Sequence, residues 1–256
     1  MVLQAQEGRL TTSRARVLVA TAVPAERDAV ARALPEPGGY TPPRTVTVRL
    51  PGVTFLRYEA YDLLAAGVGP APAAASVSAA LTAAALQGAP YSLVVSTGIA
   101  GGFLPAAPVG SLVVADEITA ADLGAETADG FLPVTELGFG TVTHRPPESL
   151  VREAAAVTGA RTGVVLTVST VTGTAARAAA LRARHPRALA EAMEGFGVAE
   201  AAAAHGVPVL EIRAVSNPVG PRDRAAWRIG EALSALTTAF GKLAPVLESW
   251  TPHDHQ

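Results

Sequence analysis

At 256 residues the chain fits one large α/β domain or two small ones, and 49% hydrophobic against 16% charged residues leaves ample material for a core. A net charge of −2 argues against nucleic acid or an anionic membrane as a partner, and the lack of cysteine excludes disulfides, thiolate catalysis and cysteine-ligated metals. No uninterrupted apolar run is long enough to span a bilayer and no signal-peptide core precedes the first strand, so a soluble, cytoplasmic protein is expected.

Residues 1–15 are polar and read as a frayed tail. The apolar run Arg16–Ala22 predicts a central strand. Pro24 suits the first turn of a helix through Leu34, with Glu26 near its start. Pro35–Pro43 is a loop, and Thr45–Arg49, Thr54–Leu56 and Tyr61–Ala65 read as strands. Gly67-Val68-Gly69-Pro70 then opens an Ala-rich helix over about 71–87. Tyr91–Ser96 is the next buried strand and runs into a glycine turn, Thr97-Gly98-Ile99-Ala100-Gly101-Gly102. A strand follows from Leu112 towards Ile118, then a loop over 122–140, a helix over Pro147–Val157 and a strand over Thr162–Ser169. Ala175–Arg184 is a helix, 193–205 a helix, 208–215 a strand and Arg224–Glu248 a terminal amphipathic helix. The alternation predicts an α/β fold with a largely parallel or mixed sheet and helices on both faces. There is no internal repeat, and no linker long enough to divide residues 16–250.

Glycines at strand ends let the backbone approach a ligand closely or merely punctuate loops. The 97–102 spacing is neither a dinucleotide fingerprint nor a P-loop, so hydride transfer and nucleoside triphosphate hydrolysis lose support. Glu26 and Glu194 could activate water or clamp hydroxyls, or could simply satisfy helix N-termini. Asn217 ends an apolar strand; its donor and acceptor suit the N7 and O6 edge of a 6-oxopurine, or it is a turn residue before Pro218. His144, His185, His205, His253 and His255 show no metal-ligand spacing, and no serine lies in a Gly-x-Ser-x-Gly turn.

Five segments taken together resemble the nucleoside phosphorylase/nucleosidase superfamily over about residues 16–245. They are Val19-Ala20-Thr21-Ala22 followed by Glu26; Gly67-Val68-Gly69; Ser96–Gly102 with Val109–Val114; Met193-Glu194-Gly195; and Ile212–Asn217. The resemblance implies a single domain, a central mixed β-sheet flanked by helices, and cleavage of the N-glycosidic bond of a small nucleoside. It implies no cofactor and no metal, and a homo-oligomer, dimer or tetramer. It makes Glu26 the residue that positions water, puts Met193 under the ribose and Glu194 on its hydroxyls. The base would lie over Gly98 and against the loop holding Thr170 and Val171, with Phe196 supplying stacking that Thr170 cannot. Adenine-specific nucleosidases of this superfamily carry an aspartate where this chain has Asn217. An amide donates hydrogen bonds but hands over no proton, so a 6-oxopurine is favoured over a 6-aminopurine. Phosphorolysis, a methylthioadenosine/adenosylhomocysteine nucleosidase and a catalytically silent nucleoside-binding protein stay open as alternatives.

Overall fold

Val17–Thr21 (β1) is apolar almost throughout because both of its faces are covered. Val17 and Val19 point into one core with Val30, Leu150, Phe240 and Leu243. Leu18 and Ala20 point into the other with Ala73, Val77, Val198 and Ala202. The computed structural model describes residues 16–34, 46–50, 53–58 and 60–250. The tail 1–15, the loop Pro35–Pro43, His253 and His255 lie outside these.

After β1 come α1 (Pro24–Ala31), β2 (Val46–Leu50), β3 (Val53–Arg57), β4 (Tyr61–Ala65), α2 (Pro70–Leu86), β5 (Leu93–Gly102) and β6 (Leu112–Ala120). A small hairpin follows, β7 (Gly124–Thr127) and β8 (Gly130–Pro133), then β9 (Thr143–His144), α3 (Glu148–Thr158) and β10 (Arg161–Thr167). The chain closes with α4 (Ala175–Arg184), β11 (Ala188–Ala192), α5 (Gly195–Ala204), β12 (Val209–Pro218), a 3₁₀ turn at Arg224–Ala226 and α6 (Ile229–Ser249). The fold is a mixed α/β domain, as the alternation of elements predicts.

The main sheet runs β11-β10-β6-β12-β5-β1-β4-β3-β2, with β9 beside β6. β11 also pairs antiparallel with the far end of β5, through Ala190 opposite Gly102 and Glu191 opposite Gly101. That pairing closes β5, β12, β6, β10 and β11 into a ring. Closure corrects the expectation of a glycine turn at 97–102: these residues are strand. Gly98, Gly101 and Gly102 continue β5 so that it pairs with β12 on one side and reaches β11 on the other. Glycine is required at this barrel corner, because a Cβ on Gly102 would strike the Ala107 carbonyl and lie 2.6 Å from Val215 Cγ1.

Three further elements differ from the sequence reading. β11 is predicted by nothing in Ala188-Leu189-Ala190-Glu191-Ala192, whose alanines have low strand propensity; pairing on both sides and complete burial override it. The 122–140 loop carries the β7–β8 hairpin. The terminal helix starts at Ile229, and Arg222, Arg224 and Trp227 ahead of it line a cavity instead.

Helix packing sets one contact that matters for the site. α5 approaches the start of α2 so closely that a Cβ on Gly197 would collide with the Pro70 carbonyl. This approach delivers the Gly69 N–H to Glu194, the residue that precedes α5.

Candidate active site

A cavity of about 550 Å³ opens where the C-terminal ends of β1, β5 and β12 meet the ends of β4 and β11. Its wall includes Glu26, Ile99, Val171, Thr172, Glu191, Met193, Glu194 and Asn217. The size lies within the range that encloses a drug-sized ligand.

Glu26 stands at the third position of α1 and is only 4% exposed. Its Oε2 accepts hydrogen bonds from the Ala22 N–H (3.0 Å) and the Val23 N–H (3.3 Å), and Oε1 accepts one from the Ile99 N–H (2.9 Å). A carboxylate has about four acceptor positions. Three are used by the backbone, which leaves room for about one donor from the cavity. Burial raises the Glu26 carboxyl above its ordinary value; the Ile99 N–H and Arg213 pull it down, and Glu194 adds to the rise. A fixed, buried carboxylate with one free acceptor position suits a base that holds a water.

Gly98 does not line the cavity but lies directly behind this carboxylate. A Cβ there would sit 2.6 Å from Glu26 Oε1, 2.9 Å from its Cδ and 3.0 Å from Arg213 Nη1. Glu26 cannot retreat without losing its backbone donors. Gly98→Ala is therefore expected to lower kcat at least about tenfold and to destabilise the fold by about 1–3 kcal/mol through overpacking. Steady-state kinetics beside a denaturant titration checks both; unchanged kcat would show that Glu26 tolerates displacement.

Glu194 precedes α5 and accepts the Gly69 N–H at Oε1 (3.1 Å). Its Oε2 lies 3.4 Å from Arg213 Nη1. Arg213 is wholly buried. Its Nε donates to Glu211 Oε1 (2.7 Å) and its Nη2 to Ser96 Oγ (3.0 Å). Three carboxylates thus surround one guanidinium. Burial works against the Arg213 charge, yet Glu211, Glu194 and Glu26 together hold its pKa above the ordinary value. Burial likewise pushes the Glu211 carboxyl up. The cluster ties Glu194 to a buried centre, while Glu26 beside it is held by the backbone.

Asn217 is presented by an irregularity in β12. Pairing with β5 shifts register between Val215 and Asn217, which sends the Asn217 side chain into the cavity. Its Oδ1 accepts the Ser216 hydroxyl (2.8 Å), and its Nδ2 donates to the Pro218 carbonyl (3.1 Å). This leaves the second amide hydrogen free for a ligand. A Cβ on Gly101 would lie 2.9 Å from Val219 Cγ2 and 3.4 Å from Asn217 Nδ2, so a larger residue there would press on both neighbours.

Of the residues expected from sequence, Glu26, Val171, Met193, Glu194 and Asn217 come together on the cavity wall. Thr170 is exposed and off the wall; Thr172 beside it lines the cavity. Phe196 also stands elsewhere. It is buried, its N–H donates to Thr167 Oγ1 (2.8 Å), and its ring packs against His144 at 5.4 Å. The expected stacking by Phe196 is corrected accordingly, since the first turn of α5 points it into the core. The aromatic ring on the cavity wall is Trp227.

Residues 16–248 match the Phosphorylase superfamily. The chain belongs to this superfamily. Within it, a futalosine hydrolase of Streptomyces coelicolor is 77% identical over 239 residues, covering 93% of this chain and 99% of that one. A futalosine hydrolase of Acidothermus cellulolyticus is 46% identical, covering 88% and 89%. The solved futalosine hydrolase of Helicobacter pylori strain 26695 superposes with a TM-score of 0.74 at 17% identity, covering 91% and 98%. An S-adenosylhomocysteine nucleosidase of Streptococcus pyogenes gives 0.76 at 18%, covering 93% and 99%. At such identities the solved structures speak to the fold, which is that of the superfamily.

Two parts of this superfamily member's site escape sequence reasoning. Glu211 and Arg213 are charges two apart on one face of an apolar strand, a pattern that signals a buried ion pair. Glu191 lies in the unforeseen strand β11. It accepts hydrogen bonds from the Thr172 N–H (2.8 Å) and the Thr172 hydroxyl, so it pins the loop that follows β10 against the cavity.

Proposed function

We propose that this chain hydrolyses the N-glycosidic bond of futalosine, releasing hypoxanthine and dehypoxanthine futalosine for menaquinone biosynthesis. The observation that carries the reading is an amide, Asn217, in the same cavity as two immobilised carboxylates, Glu26 and Glu194. The 77% identity to a futalosine hydrolase across nearly its whole length supports the same substrate.

Each group has a role that its geometry suits. Met193 lies beneath the ribose, and Glu194 accepts hydrogen bonds from the sugar hydroxyls. As the glycosidic bond stretches, positive charge builds on the sugar and negative charge on the base. The free Asn217 N–H meets the growing charge at N7 or O6. An oriented donor of this kind contributes about 3 kcal/mol to the transition state. Hypoxanthine can leave without full protonation because O6 carries charge. Glu26 holds water against the oxocarbenium-like carbon and takes its proton. The loop pinned by Glu191, through Val171 and Thr172, borders the base.

Phosphorolysis is the competing chemistry. In this chain the Gly69 N–H at the start of α2, a natural anion donor, is taken by Glu194. That favours water over phosphate. Hypoxanthine release is expected to proceed at the same rate with and without inorganic phosphate; strict phosphate dependence would contradict hydrolysis. We infer further that the enzyme acts in the cytoplasm as a homo-oligomer. The exposed Leu123, Leu137 and Phe139 around the hairpin support association. No helix among the described residues is long and apolar enough to cross a membrane.

A further inference from the structure

The cavity extends beyond the groups that nucleoside cleavage needs. Besides the groups near Glu26, Glu194 and Asn217, its wall includes Arg222, Arg224, Trp227, Ile229 and Leu233. These come from the segment between β12 and α6 and from the first turns of α6. Neither Arg222 nor Arg224 forms an ion pair among the described residues. The intervening Asp223 turns its carboxylate onto its own backbone, accepting the Ala225 N–H (3.1 Å). The Arg222 guanidinium stands 5.3 Å from the centre of the Trp227 ring. No side chain caps the N-terminus of α6, where Ile229 and Leu233 begin the helix. Two exposed arginines without an ion-pair partner among the described residues, an aromatic residue and two aliphatic residues thus all line the cavity. That combination matches an aromatic ring bearing a carboxylate.

We propose that Arg222 and Arg224 form an aryl-carboxylate subsite, with Trp227, Ile229 and Leu233 flanking the ring. The proposal rests on the futalosine reading, because futalosine carries a benzoate on the sugar side. The subsite makes the carboxylate a specificity element: a substrate lacking its charge binds without the two guanidiniums. Charged hydrogen bonds of this kind contribute about 1.5–3 kcal/mol each, or roughly tenfold to a hundredfold in affinity.

The test compares kcat/KM for futalosine with that for its neutral methyl ester. The wild-type enzyme is expected to favour the acid at least about tenfold, through KM rather than kcat. Arg222→Met and Arg224→Met should each shrink that preference, and the double variant should erase it. Arg222→Lys with Arg224→Lys, which keeps both charges, should retain most of it. Because the readout is a ratio within one protein, a general loss of activity does not mimic it, and each single variant carries the test if the double variant does not fold. A preference that survives in the Met variants, or a wild type indifferent to the ester, overturns the subsite. Inorganic phosphate that acts as a co-substrate with a KM raised in the Met variants would assign the arginines to phosphate and overturn it too. A wild type that cleaves inosine but not futalosine would instead remove the substrate reading on which the subsite stands.

Discussion

Glu26→Gln is expected to lower kcat by about 10²–10⁴-fold, the usual cost of losing a positioned general base. The amide cannot take a proton from water. It also turns an NH₂ group towards backbone N–H donors, at either Ile99 or Ala22 and Val23, which now face a carboxylate. The pH profile gives a second readout with a definite sign. Glu26 must be ionised to act as base, and burial raises its pKa from 4.5. Activity should therefore fall as pH drops through a value above the ordinary carboxylate range. The free-enzyme limb appears in kcat/KM and should be missing from the residual activity of Glu26→Gln. An unchanged kcat in the variant, or an acid limb that persists in it, would remove Glu26 from the mechanism.

Asn217→Asp carries the second large effect, and it falls on specificity. The present side chain is held by the Ser216 hydroxyl at Oδ1, which turns its NH₂ group to the cavity and the Pro218 carbonyl. An ionised aspartate offers only acceptors, which repel N7 and O6 of hypoxanthine. Hypoxanthine substrates should lose about 1–3 kcal/mol of transition-state stabilisation, roughly tenfold to a hundredfold in kcat/KM. A protonated aspartate can give a proton to N7 of adenine, so adenine nucleosides should gain. An alkaline limb absent from the wild type should then appear in the pH profile, because the variant must be protonated to act. Relative kcat/KM for futalosine and methylthioadenosine in both enzymes checks the shift. A variant with unaltered preference would show that Asn217 does not read the base.

That Glu26, Glu194 and Asn217 line one cavity follows a pattern readable in the sequence, because each is a polar residue placed at the end of an apolar strand or the start of a helix. Such positions gather around the cavity at the carboxyl ends of the strands of an α/β sheet. Thr170 and Phe196 show the limit of that logic. One position along a loop or one turn of helix decides whether a side chain meets a ligand, solvent or core, and sequence spacing does not resolve that. The role of Arg213 is not readable from the sequence, because a charge in an apolar strand has a partner only once Glu211, Glu194 and Ser96 are in space around it. Ring closure was hidden for a related reason. It depends on antiparallel pairing of the Ala-rich strand at 188–192 with Gly101 and Gly102, which lie about ninety residues earlier and resemble a turn. Arg224 and Trp227 fall inside the terminal helix that the amphipathic pattern predicts over Arg224–Glu248, although the helix begins at Ile229.

The substrate proposed for this cavity is a 6-oxopurine nucleoside bearing an acidic aryl group. Purified enzyme supplied separately with futalosine, inosine and methylthioadenosine tests it most directly, with the released base followed by chromatography. Hypoxanthine is expected from futalosine at the highest kcat/KM, with weaker release from inosine and little or no adenine from methylthioadenosine. Adenine release that outpaces hypoxanthine release would contradict it.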